Sequence, residues 1–224
     1  MGRTKKTSLS KAQKTAMRKI AEQVVDAEIE DKAQVTSGEN LQLYHNLPYY
    51  VAKVLQVIDK GVNDGSQGTA GSGKVTVRIG DQISLKNINI RFWLSNKLDR
   101  PNVMYKGCLF WLRSGIPPSN DLVFQTQSNK MLDRYNDKDI KIVDKFIVKS
   151  TNNYAVDANN HEHSYLATLN KSYKNKKITF DGLSNLPKGW DLCFSLVCYD
   201  AFGTLQSDNI ASFAFNSKVT FQDA

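Results

Sequence analysis

Long apolar runs are missing from this chain. The longest, Cys108 to Leu112, falls far short of the ~18 consecutive apolar residues that a membrane helix needs. No integral membrane association is therefore expected. Cysteine is scarce: Cys108, Cys193 and Cys198 form an odd set without the C-x-x-C spacing of metal sites, which argues for buried reduced thiols. Histidine is as scarce, with only His45, His161 and His163. His161 and His163 share one face of an extended segment, a spacing that suits zinc, but Glu162 points away and His45 is remote, so no metal is expected. There is no GxSxG elbow and no HExxH pair, and so few histidines leave no obvious base for a Ser or Cys nucleophile. The expectation is a chain with no catalytic residue and no cofactor.

Three near-motifs fail on their own chemistry. Gly68 to Val75 reads GTAGSGKV, like a phosphate-binding loop, but Val75 stands where Ser or Thr must hold magnesium. Met1-Gly2 invites myristoylation, yet Lys6 replaces the hydroxyl that the motif requires. The first fourteen residues are charged where a secretory signal would turn apolar, so the chain is expected to be made and kept inside the cell, and the Asn170-Lys171-Ser172 sequon then has no meaning.

What the chain does have is charge of one sign at one end. It has 224 residues and a formal net charge of +8, with 30 basic and 22 acidic residues. Arg3, Lys5, Lys6, Lys11, Lys14, Arg18 and Lys19 all precede the first acidic residue, Glu22, and setting them aside leaves 23 basic against 22 acidic residues. Clustered cations without nearby acids neutralise phosphates whatever the base sequence, so these seven residues are the candidate nucleic-acid-binding set. A merely solvated tail, a membrane-surface helix or an import signal are the other readings of such a stretch.

Leu9, Ala12, Ala16, Ile20, Val24 and Ala27 recur at spacings of three and four, which predicts a helix from Ser10, with Ser10 and Gln13 as a capping box. Lys11, Lys14 and Arg18 fall opposite that apolar stripe, and Gly38 suggests a helix end near residues 35–38. Val51, Val54, Leu55 and Ile58 suggest a short second helix after Pro48. Gly61 to Gly73 has the composition of a loop.

Beyond it the period becomes two. Strands are predicted at Val75 to Leu94, Val103 to Arg113, Leu122 to Gln125, Ile140 to Val148, Ser164 to Leu169, Lys177 to Phe180, Leu192 to Tyr199 and Ala211 to Phe221. Ile83 and Leu85 lie on one parity and Ile88, Ile90, Phe92 and Leu94 on the other, so a bulge is expected near Lys86-Asn87. Long connections favour a Greek key, and the fold class is all-β: a single eight-stranded jelly roll at 41–224 behind a basic, partly helical arm at 1–40.

Laid out this way, the chain resembles the capsid proteins of small circular single-stranded DNA viruses, the circovirus-like group. Val77 to Ile83, leading into LKNINIRFWL, is similar to that group's approach to its first long strand. YKGCLFWLR with Pro117-Pro118 after it, DIKIVDKFIV, LCFSLVCYD and the closing FNSKVTFQDA follow in the family's order. The arm is Lys-rich and helical where circoviruses carry arginine-rich tails, and Lys138 or Asp139 stands where the family's central segment has Arg.

The resemblance implies a many-copy icosahedral homo-oligomer that packages a single-stranded genome, DNA before RNA, with the arm inside. It further implies a virion protein, assembly in the host nucleus or cytoplasm, and a cell-surface receptor on the host. A satellite-type RNA virus coat, or a single-strand-binding module that forms no shell, stays open. Most aromatics, such as Phe92, Phe213, Phe215 and Phe221, sit on core parity, which argues against the module.

Overall fold

The computed structural model describes residues 9–28, 31–61, 77–126, 128–149, 164–182, 184–200 and 205–223. The chain divides into two compact units, Met1–Asp31 and Lys32–Ala224.

The first unit contains α1 (Lys11–Glu28). Its start is the predicted capping box, made reciprocally: the Ser10 amide donates to Gln13 Oε1 at 2.9 Å and the Gln13 amide to Ser10 Oγ at 3.2 Å.

The second unit is a sandwich of β1 (Lys32–Tyr44), β2 (Tyr49–Val51), β3 (Gln82–Asn96), β4 (Val103–Arg113), β5 (Lys141–Val148), β6 (Ser164–Thr179), β7 (Trp190–Asp200) and β8 (Asn209–Asp223), with a helical turn α2 (Asn120–Val123) after β4. One sheet runs β1-β8-β3-β6 and the other β2-β7-β4-β5. Every pair is antiparallel, and the first strand pairs with the last, the second with the seventh, the third with the sixth and the fourth with the fifth. That nesting is one long hairpin rolled up on itself, which is the jelly roll.

The alternation read from the sequence explains the core. Ile88, Ile90, Phe92 and Leu94 point inward from β3, and Phe213, Phe215, Val219 and Phe221 from β8. Phe194 packs edge-on against Phe92 at 5.4 Å and Phe215 at 5.2 Å, a geometry that sets ring edges against π faces. The parity switch in β3 is met by a register irregularity between Leu85 and Asn87 against both neighbours. All three cysteines are free and buried, and burial pushes the Cys108 and Cys193 thiols up to about 12.

Five local expectations are corrected. The first helix ends at Glu28, and residues 35–38 lie in β1; Gly38 is no helix stop but sits opposite Phe215, where an added Cβ would meet the ring at 2.6 Å. The second helix does not form. Tyr49–Val51 is a strand, Lys53 takes a positive φ of 68°, and Val54, Leu55 and Ile58 reach the core from turns. Leu122 to Gln125 is not a strand, because the amides of Val123 and Phe124 close a helical turn onto the Ser119 and Asn120 carbonyls. The two strands expected at Ser164 to Leu169 and Lys177 to Phe180 are one, β6, because its polar middle pairs with β3. The strand expected from Val75 starts at Gln82; Val75 itself lies outside the described residues.

Candidate nucleic-acid interface

Of the seven predicted cations, Lys11, Lys14, Arg18 and Lys19 stand exposed on α1. Arg3, Lys5 and Lys6 lie outside the described residues, as do the GTAGSGKV stretch and His161 and His163. Leu9, Met17, Ile20 and Val24 form an exposed apolar stripe. At ~100° per residue they lie away from Lys11, Lys14 and Arg18, so the helix is amphipathic as expected. Among the described residues, no helix is long and apolar enough to cross a membrane, and no group of three potential metal ligands forms.

The sandwich adds something the bulk composition conceals. The near-neutral charge of the body is unevenly divided between its sheets. The strands of the β1-β8-β3-β6 sheet carry eight basic residues and two acidic ones, Glu39 and Asp223. Those of the other sheet carry four basic and three acidic. Asp223 is already engaged, taking the Lys32 ammonium on one oxygen and the Ile79 amide at 2.8 Å on the other. β6 alone contributes Lys171, Lys174, Lys176 and Lys177, with no acid.

The two sheets also differ in cover. Outward residues of β4 and β7, including Cys108, Phe110, Cys193 and Val197, are buried in a second apolar cluster beneath Val123, Phe124 and Ile140. Lys106 pins that cover. Its ammonium donates to the Lys130 carbonyl at 3.0 Å, the Met131 carbonyl at 3.4 Å and the Asp133 carbonyl at 2.7 Å, and lies 4.6 Å from the Tyr135 ring centre. Desolvation holds its pKa below the ordinary lysine value. Lys130, also buried, donates to Asp133 Oδ2 at 2.8 Å.

The outward face of the other sheet has no such cluster among the described residues. On it Asn87, Asn89, Arg91 and Trp93 alternate with the inward Ile88, Ile90, Phe92 and Leu94. Asn87 and Asn89 both donate to Asn170 Oδ1 at 3.3 Å, a polar ladder toward β6. Trp93 is 57% exposed, and Arg91 beside it is exposed too. They line a shallow cleft of about 640 Å³ with Ser37, Asn216 and Leu166. The sequence reading missed this pair, although the parity that sent Phe92 inward already sent Arg91 and Trp93 outward.

No protein-family model matches the chain, and no curated protein matches it. Among solved structures it is similar to VP1 of Trichodysplasia spinulosa-associated polyomavirus, at 11% identity over 87% of this chain and 78% of that one, with a TM-score of 0.15. The same VP1 in complex with 3′-sialyllactose matches at 12% identity over 87% and 77% of the two chains, with a TM-score of 0.12. At such scores the likeness carries no weight, and the jelly-roll assignment rests on strand order alone.

Proposed function

We propose that this chain is the structural subunit of a small icosahedral viral shell that packages a single-stranded genome, and that it catalyses nothing. The observation that carries the reading is the one-sided charge: a jelly roll with one bare basic sheet and one covered sheet, preceded in the chain by a cationic helix. A container needs that asymmetry, because genome phosphate lies on one side of the wall only. Fold alone would not suffice, since jelly rolls also serve as lectins and enzymes.

On this reading Lys11, Lys14, Arg18 and Lys19, together with Arg3, Lys5 and Lys6, neutralise packaged nucleic acid, and the protein resides in the virion. The order of the circovirus-like motifs favours single-stranded DNA over RNA as the genome. A second reading, a single-strand-binding module without a shell, is favoured by one observation, the exposed Trp93 beside Arg91.

Electron microscopy of the purified protein, with its ultraviolet absorbance ratio, separates the two. Uniform closed particles carrying nucleic acid that high salt or removal of the arm releases support the shell. A monodisperse small oligomer at every salt and pH tested sinks it and leaves the module.

A further inference from the structure

We infer that the bare face of the β1-β8-β3-β6 sheet is a second contact surface for single-stranded nucleic acid, with the Trp93 indole stacking on a base and Arg91 and Lys218 holding the flanking phosphates. The inference rests on the nucleic-acid reading above and adds to it a site on the folded body, separate from the arm.

An indole this exposed costs a soluble domain apolar surface in water, and here its surroundings leave its face accessible. Its cross-strand partner on β8 is Ala214, a residue too small to cover it, and on β6 it is Leu166, itself 82% exposed. Two residues along β3, Arg91 faces the same way, opposite Asn216. One further outward pair along, Asn89 faces Lys218. With side chains on one face about 6.7 Å apart along a strand and strands about 4.8 Å apart, Arg91 and Lys218 are roughly 8 Å from each other across the ladder.

The result is an aromatic platform with two cations on one side of it, on a rigid sheet. That is the combination sequence-tolerant single-strand sites use: π faces for bases, which every base can stack on, and cations for the backbone. Among the described residues, neither Arg91 nor Lys218 makes an ion pair that would neutralise it.

One carboxylate borders the cleft. Glu39 is exposed at the irregularity where β1 slips between Gly38 and Leu41, with Asn40 at φ 53°. This puts it beside Ala214, across that strand from Trp93 and at the opposite end of the face from Lys218. It repels phosphate at that end and so directs a bound backbone toward Arg91 and Lys218.

The test is binding of a fluorescent oligothymidylate to the full-length protein, followed by anisotropy and by tryptophan quenching. Trp93→Ala should weaken binding about tenfold and remove most of the quenching. Trp93→Phe, which keeps a π face, should retain most of the affinity, and Trp93→Leu, which keeps only apolar bulk, should not. Arg91→Gln with Lys218→Gln should weaken binding and flatten its salt dependence, whereas Glu39→Gln should tighten it. Exchanging Lys11, Lys14, Arg18 and Lys19 for Gln should lower affinity but leave the Trp93 quenching in place.

Unchanged affinity and quenching in Trp93→Ala, beside lost binding in the arm variant, overturns the sheet-face site and leaves the packaging reading intact. A Trp93→Ala effect on particle size alone overturns it too and makes the face a contact between subunits. No binding by the unaltered protein, at any salt, overturns both readings. Trp93→Ala is expected to melt like the unaltered protein, so a loss of binding is not a loss of fold.

Discussion

The outer faces of the two sheets come from different patterns: β3 and β8 alternate apolar with polar residues, whereas β4 and β7 are buried almost without a break. Over β4 and β7 the outward residues are Cys108, Phe110, Leu112, Cys193 and Val197, and the chain between β4 and β5 folds back to bury them. Over β3 and β8 the outward residues are Asn87, Asn89, Arg91, Trp93, Ala214, Asn216 and Lys218, mostly polar, and among the described residues no apolar cluster covers them. A sheet with two apolar faces must be covered on both, whereas one with a polar outer face can stay bare. The bare face is thus free to carry charge, and Arg91 and Lys218 stand on it.

The comparison is sharpest where one side chain can be removed from each face. Phe124, 2% exposed, stacks on Tyr135 at 5.3 Å over the covered sheet. Phe124→Ala should cost about 3–5 kcal/mol, read as a lowered urea midpoint at unchanged slope. A cost below about 1 kcal/mol would break the comparison, because the cover would then be resting on the sheet and not packed into it.

Next in size is the pin. Lys106→Met keeps the stem but leaves the Lys130, Met131 and Asp133 carbonyls without their shared donor. Stranding buried acceptors should destabilise the fold by about 2–3 kcal/mol. It should also raise amide exchange in 124–140 before anywhere else, and uniform exchange across both sheets would contradict the pin's local role.

At the seam between the sheets, a smaller, pH-dependent effect is expected from His45. It follows β1, bridges to Cys198 of β7, and accepts the Asp200 amide on Nδ1 at 3.2 Å. Burial lowers its pKa from the ordinary 6.5, against the weaker opposing pull of Asp200 and Asp208, with Arg100 adding to the lowering. The unfolded chain therefore takes up this proton first as pH drops. The contribution is complete above the unfolded value and is lost as pH falls through the folded one. Thermal melts should decline across that window, and His45→Gln, which keeps an acceptor, should flatten the decline; an equal decline in the variant would assign it to carboxylates.

How much of this was legible follows from where burial was one-sided. β8 was readable because Phe213, Phe215, Val219 and Phe221 alternate with polar residues, and β4 because it is apolar on both parities. β1 was not. It is an edge strand with Leu43 its one buried residue and Val35 half exposed, and its composition let the period of α1 run on. At Val54, Leu55 and Ile58 the spacing gave the right burial and the wrong backbone, since one left-handed residue, Lys53, turns the chain. The arm cations could be read from charge order. The basic sheet could not, because eight lysines and arginines gather there only when β1, β3, β6 and β8, distant in sequence, become neighbours.

The smallest effect sharpens the comparison most. Trp93→Ala deletes more apolar surface than Phe124→Ala, yet it should change stability by less than about 0.5 kcal/mol. The cost of such a truncation is set by how tightly the side chain was packed and by the cavity it leaves behind, and an indole 57% exposed on a bare sheet leaves none. Its neighbours Ala214 and Leu166 keep their backbone pairing whatever stands at position 93. Equal urea midpoints for Trp93→Ala and the unaltered protein, beside a large shift for Phe124→Ala, would establish that one face holds the fold together and the other is spare. A midpoint shift like that of Phe124→Ala would mean instead that the indole packs against something in solution, and the bare face would have to be regarded as covered.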